Sequence, residues 1–327
     1  MAHMVHMLVN SLLLGALLRG RWRSNFESPE DRKVMHKLSV IGAAVALAGV
    51  SMGAIADEEA TSPHVFAANV ALTTNYLFRG ISQTDNGPAI QGGFDYQYAP
   101  VGFYAGAWAS NVELAFPNTA AINTNNRASV ELDYYGGFAG ALGNGIGWDI
   151  GGIYYTYPGQ NEDGKLIDPA TGAVLSAGAD YDYAEVYFKT NYAFTGVTYS
   201  PTVKGGVYYS PDYFGEDGDG VYGFGTFGVT LPYEVGLSAT VGYLTVDGDK
   251  TTGAIDGYDY VHYSIGVSKA VGKINLNLSW NDSDSGCTDL VSNDRDGLCE
   301  AVVFAVSSVC KSAVISAGLT SRYPYTS

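Results

Sequence analysis

From Asp57 onward, apolar and polar residues alternate with a period of two in stretch after stretch. Val130, Leu132, Tyr134, Gly136 and Phe138 interleave with Ser129, Glu131, Asp133, Tyr135 and Gly137. Ala184, Val186 and Phe188 interleave with Glu185, Tyr187 and Lys189, and Ile274, Leu276, Leu278 and Trp280 with Asn275, Asn277, Ser279 and Asn281. Successive side chains of a strand point to opposite faces, so each stretch predicts a β-strand with one apolar and one polar face. The pattern predicts twelve strands, over 64–79, 89–98, 102–110, 128–142, 146–157, 181–194, 197–210, 220–231, 234–246, 258–270, 273–281 and 300–309. Most reach the length, about ten residues, that a tilted strand needs to cross a bilayer.

The predicted connections alternate between long and short. Long ones cover 80–88, 111–127, 158–180, 211–219, 247–257 and 282–299; short ones cover 99–101, 143–145, 195–196, 232–233 and 271–272. A soluble sandwich has no reason to keep this parity. An outer-membrane barrel does, with short turns on the periplasmic side and long loops outside. Two periplasmic ends require an even strand number, and twelve fits. The expected fold is therefore all-β: a single transmembrane antiparallel β-barrel of about twelve strands, with short periplasmic turns and long acidic extracellular loops. The loops carry Asp212, Glu216, Asp217, Asp219, Asp247, Asp249, Asp256, Asp282, Asp284, Asp289, Asp294 and Asp296. Asp-Gly-Asp at 217–219 and 247–249 lacks the spacing of an EF-hand loop, so the acids read first as a solvated surface.

Composition agrees. Only 15% of residues are charged while 13% are aromatic, and 42 Gly and 25 Tyr suit a barrel better than a helical protein. A net charge of −16 disfavours nucleic acid as a partner. No apolar run after Asp57 reaches the length of a membrane-spanning helix. Trp108, Trp148, Trp280 and many Tyr fall near segment ends, where interfacial aromatic girdles form.

The N-terminal part reads as an address. Met35-His36-Lys37, the apolar run Leu38–Val50 and Ala54-Ile55-Ala56 before Asp57 have the pattern of a signal peptide over 35–56. Residues 1–34 read as a non-native or mis-started extension, 57–310 as the barrel, and 311–327 as an atypical C-terminal tail. Export places the chain in the bacterial outer membrane. Its expected partners are outer-membrane lipid and lipopolysaccharide, the barrel assembly machinery and small polar solutes.

The polar strand faces give the candidate lumen. Its pore-lining residues are expected to be Arg79, Asp95, Glu131, Asp133, Asp149, Glu185, Lys189, Lys204 and His262. Charges of both signs can line a wet, selective path, or they can plug a narrow barrel by pairing. Twelve strands lie between filled eight-stranded barrels and open porins. Cys287 and Cys299 flank the last long loop and are positioned for a disulfide, with Cys310 left over. His262-x-Ser264 puts an imidazole and a hydroxyl on one strand face, as in outer-membrane lipid hydrolases, but an orienting third residue can only be assumed. No zinc spacing, phosphate loop or dinucleotide fingerprint is present, so no metal or cofactor is expected.

Asn75-Tyr76, Phe78-Arg79-Gly80-Ile81-Ser82-Gln83-Thr84, Gly102-Phe103-Tyr104-Ala105-Gly106 with Trp108, Ser110-Asn111-Val112 and Glu131–Gly137 resemble blocks of the TorF-like porins of proteobacteria, a family formerly of unknown function. The resemblance covers about 67–306. It implies an outer-membrane barrel with a porin role and carries no catalytic residues. The chain departs from it after the expected last strand by continuing to Ser327. The expected function is a non-enzymatic porin-like channel for passive diffusion of small polar or charged solutes, mildly cation-preferring. The alternatives are a plugged structural or adhesive barrel, or a lipid hydrolase using His262 and Ser264.

Overall fold

The computed structural model describes residues 62–115, 127–160, 166–167, 174–176, 180–215, 218–248, 257–284 and 301–312. The extension, the signal peptide, Cys287, Cys299, Glu216, Asp217, Asp249, Asp256, Asp289, Asp294, Asp296 and the tail beyond Ser312 lie outside them.

Twelve antiparallel strands close into one barrel. They are β1 (His64–Thr73), β2 (Ala89–Tyr98), β3 (Phe103–Ala115), β4 (Arg127–Ala141), β5 (Gly147–Thr156), β6 (Tyr183–Ala193), β7 (Thr202–Ser210), β8 (Gly220–Leu231), β9 (Val235–Val246), β10 (Tyr258–Val271), β11 (Ile274–Ser283) and β12 (Ala301–Ser312). Each pairs with its sequence neighbours, and β1 pairs with β12 from Phe66↔Ser312 to Thr73↔Ala305. Closure leaves no strand edge unpaired, as lipid requires.

The outside is apolar. Val70, Leu72, Ile90, Phe94, Ile150, Val186, Phe188, Phe227, Ile265 and Phe304 all point out and are exposed. So do Tyr134, Tyr154, Tyr209, Tyr243 and Tyr263, towards the long-loop ends of their strands, where aromatic residues meet a bilayer interface. A soluble protein does not display such a continuous apolar belt. The barrel is a membrane barrel.

Four predicted segments differ from the structure by three residues or more. The first strand stops at Thr73 instead of Arg79, and the chain turns inward there. The third runs on to Ala115 instead of ending at Ser110. The seventh starts at Thr202 instead of Val197, because Tyr199 and Ser200 adopt left-handed backbone conformations that cannot continue a ladder. The last continues through Lys311 and Ser312, paired with Ala67 and Phe66. A bulge between Asn111 and Leu114 changes the facing parity of β4, so Ala128 and Glu131, three residues apart, are both buried inside.

Glycines make room for inward tyrosines. Along one row of register partners, Tyr104, Gly137, Gly151 and Tyr187 follow each other across β3 to β6. The two hydroxyls meet at 2.5 Å above the glycines. A Cβ on Gly137 would lie 2.7 Å from the Tyr104 hydroxyl and 2.4 Å from the Ile150 carbonyl oxygen. Gly143, in a turn, has open space around it. Gly137→Val should therefore destabilise the barrel by about 2 kcal/mol, and Gly143→Ala by less than about 0.5 kcal/mol, in urea titrations of barrels folded into vesicles. Equal midpoints for the two variants would show that the row is not tightly packed.

Candidate functional site

Between β1 and β2 the chain re-enters the barrel. Leu77–Phe78 pairs with Ile81–Ser82 in a two-residue ladder, with Arg79 (φ 50°) and Gly80 (φ 86°) at the tip. Positive φ at both central residues is the geometry of a tight hairpin turn that normally takes Asn, Asp or Gly first. Arg79 stands there at a cost of roughly 1 kcal/mol. Asn75 organises the base: it donates to Asn86 Oδ1 and accepts from the Ser82 and Thr84 hydroxyls. Gly80 packs against the ring of His262 on β10, so the hairpin reaches across the lumen.

Arg79 is the centre of the plug. Its Nη2 lies 2.6 Å from Glu185 Oε2 on β6, and both side chains are almost fully buried. Its guanidinium carbon lies 4.3 Å from the ring centre of Tyr222, 4.7 Å from Phe78, 5.2 Å from Tyr208 and 5.7 Å from Tyr213. Burial, the largest influence, lowers the pKa of this loop residue, but the Glu185 carboxylate together with Tyr213, Tyr155 and Tyr183 more than offsets it and holds the value well above its ordinary one. Around the pair, Tyr155, Tyr157, Tyr181, Tyr183, Tyr213 and Tyr260 are buried in one aromatic cluster. The long-loop half of the lumen is filled.

Most lumen carboxylates meet a tyrosine. Tyr135 donates to Asp95 at 2.5 Å, Tyr104 to Asp149 at 2.5 Å, Tyr76 to Glu131 at 3.1 Å and Tyr155 to Glu185 at 3.1 Å. Lys189 stands opposite Asp149 in register, 2.7 Å from its Oδ2 and 4.1 Å above the Tyr187 ring. Asp133 Oδ1, Glu131 Oε2 and Glu185 Oε1 are buried without a hydrogen-bond partner among the described residues.

The other wall is different. Thr226, Thr240, Ser264 and Asn281 form one register row across β8 to β11, with Thr226 and Thr240 hydroxyls 2.9 Å apart. Below it, Ser238 and Asn277 share the inward parity and are exposed. Lys204 extends the row on β7, half-buried, with no acidic partner among the described residues.

The family model of Gcw_chp, described as a bacterial protein of unknown function, matches residues 57–309. The chain belongs to this family. Its description names no activity, and the TorF-like porin naming is not part of it. No curated protein matches the sequence. Among solved structures, the toluene transporter TodX of P. putida is similar at 12% identity over 76% of this chain and 90% of its own, with a TM-score of 0.38. LpxR from Salmonella typhimurium is similar at 9% identity, over 74% of this chain and 99% of its own, with a TM-score of 0.38. OccAB1 of Acinetobacter baumannii is similar at 12% identity over 71% of this chain, which spans 61% of the length of OccAB1, with a TM-score of 0.36. Likenesses this distant say nothing about what the barrel does.

In this Gcw_chp barrel the nine residues named from sequence all face the interior, but most are engaged with one another or with tyrosines. Arg79 corrects its assigned place, lying on the plug instead of a strand wall. Trp108 also departs from the girdle expected of it: it is buried inside, in register with Asp133. His262 lies 2.9 Å from the Tyr222 hydroxyl through Nε2, over Gly242, and Ser264 faces inward in the threonine row. Sequence reasoning put Tyr135 and Tyr187 on the polar faces but named no tyrosine among the lumen residues, and it missed Tyr183, which shares the parity of Glu185. It also missed the hairpin, whose signal is the break in alternation at Tyr76-Leu77-Phe78 ahead of Gly80.

Glu185→Gln leaves the Arg79 charge buried with a neutral partner and should cost about 3 kcal/mol of unfolding free energy. Arg79→Met with Glu185→Leu should recover most of that loss in the same denaturant titration. A double variant no more stable than Glu185→Gln would show that the aromatic contacts of Arg79, and not the pair, hold the plug.

Proposed function

We propose that the protein is an outer-membrane channel for passive diffusion of small polar or charged solutes, which the hairpin around Arg79 keeps shut at its long-loop end. In this reading the short turns face the periplasm, the long loops face outward into the lipopolysaccharide layer, and residues 35–56 are removed on export. The barrel assembly machinery inserts the chain, and the solute undergoes no chemical step.

The wall of small polar side chains on β8 to β11 carries the reading. Exposed Ser238 and Asn277 make it a solvated surface inside a membrane barrel, and a barrel that only had to be filled gains nothing from it. The plug opposite combines one loop hairpin, joined by two residue pairs, with inward tyrosines of β5 to β8 and β10. Asp95, Glu131, Asp133, Asp149 and Glu185 outnumber Arg79, Lys189 and Lys204 in the lumen, which supports a mild preference for cations.

In planar bilayers the intact barrel should give rare, small conductance steps. Replacing Leu77–Ser82 by a short Gly-Ser linker should give frequent, larger ones. A linker variant that folds, by circular dichroism and resistance to dissociation in cold detergent, yet passes no current would overturn the channel. In that open variant, Lys204→Gln removes an unpaired lumen cation and should move the reversal potential towards stronger cation preference. An unchanged potential would place Lys204 off the solute path.

A further inference from the structure

The guanidinium of Arg79 occupies a cage that fits a guanidinium better than this tethered one fills it. Tyr208 and Tyr222 present rings on the lumen wall, Tyr213 adds a ring and a hydroxyl 3.4 Å from Nη1, and Glu185 supplies the counter-charge. A flat delocalised cation stacks on such rings and pairs with a carboxylate through two parallel N–H groups. Arg79 uses only one oxygen of Glu185. The other, Oε1, is buried and has no partner among the described residues. The tip that delivers Arg79 is strained, with a non-glycine residue held in left-handed backbone geometry. Hairpin and cage thus match in chemistry but not fully in geometry.

We propose that this cage is a binding site for solutes carrying a guanidinium or a similar flat organic cation, and that Arg79 is its built-in occupant. The inference rests on the channel reading for its physiological meaning, since a solute reaches the cage when the hairpin withdraws. Glu185 then takes the free guanidinium through both oxygens, and the rings of Tyr208, Tyr213 and Tyr222 close on its faces. Neutral isosteres lack the charge that both carboxylate and rings require.

Arg79→Ala empties the cage, and agmatine is the probe, with butylurea as the neutral control. In detergent, millimolar agmatine should raise the melting temperature of Arg79→Ala by several degrees and leave wild type, whose cage is filled, within a degree. Adding Glu185→Gln to Arg79→Ala should weaken the agmatine effect at least tenfold in half-saturating concentration. In bilayers, agmatine should block the current of the linker variant, which lacks Arg79 with the rest of Leu77–Ser82, and butylurea should not. Should Arg79→Ala fold poorly, Arg79→Gln keeps a polar but shorter and uncharged side chain and is expected to show the same differences.

The two readings fail separately. A variant that conducts but is neither stabilised nor blocked by agmatine overturns the guanidinium site and leaves the channel standing. A linker variant lacking Leu77–Ser82 that binds agmatine with the Glu185 dependence but passes no current upholds the site and removes the channel. Equal effects of agmatine and butylurea, or of agmatine with and without Glu185, overturn the site.

Discussion

A strand exposed to hydrocarbon can leave no backbone donor or acceptor unpaired, and each one left open costs several kcal/mol. The seam between β1 and β12 meets that constraint, and the rest of the molecule follows from it. Eight consecutive partners run along it, and Thr74 adds a backbone bond to Phe304 at 3.0 Å. Closure fixes every register, and register fixes which residues enter the lumen. A slip of one residue in β6 would turn Glu185, Tyr187 and Lys189 towards lipid and Val186 and Phe188 inward. The bulge opposite β4 shows the same control locally, since it holds Ala128 and Glu131 inside together.

With carboxylates buried inside, the lumen needs donors. Tyrosine supplies them on a long, rigid arm that also fills volume, which explains the abundance of tyrosine beside glycine. Tyr135 extends over Gly106 to reach Asp95, and Tyr104 extends over Gly137 to reach Asp149 and Tyr187. Ring over glycine replaces the packing that a missing side chain would give. The arrangement satisfies one oxygen of most acids and leaves the second oxygens of Glu131 and Glu185 open. Such partial satisfaction is costly in a core and is ordinary in a site that exchanges partners.

Period-two alternation made the twelve strands and their faces legible, because lipid outside and polar groups inside impose the strongest possible contrast between neighbouring residues. The strand 220–231 and the strand 89–98 are read to the residue for that reason. Alternation says which face a side chain leaves from, and nothing about how far it reaches or whom it meets. Glu185 could be placed inside from sequence, whereas its partner on a loop 106 residues earlier could not. Tyrosine and tryptophan blur the pattern further. Each is apolar enough for a lipid-facing girdle and polar enough for the lumen, so Trp108 and Tyr134 look alike in sequence and point opposite ways. The hairpin hid because Tyr76-Leu77-Phe78 prolongs the apolar character of β1 while breaking its alternation.

The Arg79–Glu185 pair is better understood as a latch than as a source of stability. Two charges taken out of water lose solvation that their attraction repays only with good geometry and full hydrogen bonding. Here one carboxylate oxygen is unpaired and the arginine sits at a strained turn position. The four rings around the guanidinium offset part of that cost, so the closed arrangement is favoured by a difference between large terms. An element held in that way has a second state within reach of modest interaction energies. In the proposed channel the polar wall of β8 to β11 would need no rearrangement on withdrawal of the hairpin, because its register is set by closure. The barrel thus separates two requirements: rigidity resides in the seam and the ladders, and the proposed capacity to change is assigned to the Leu77–Ser82 hairpin, which pairs only with itself and takes no place in the barrel ladder.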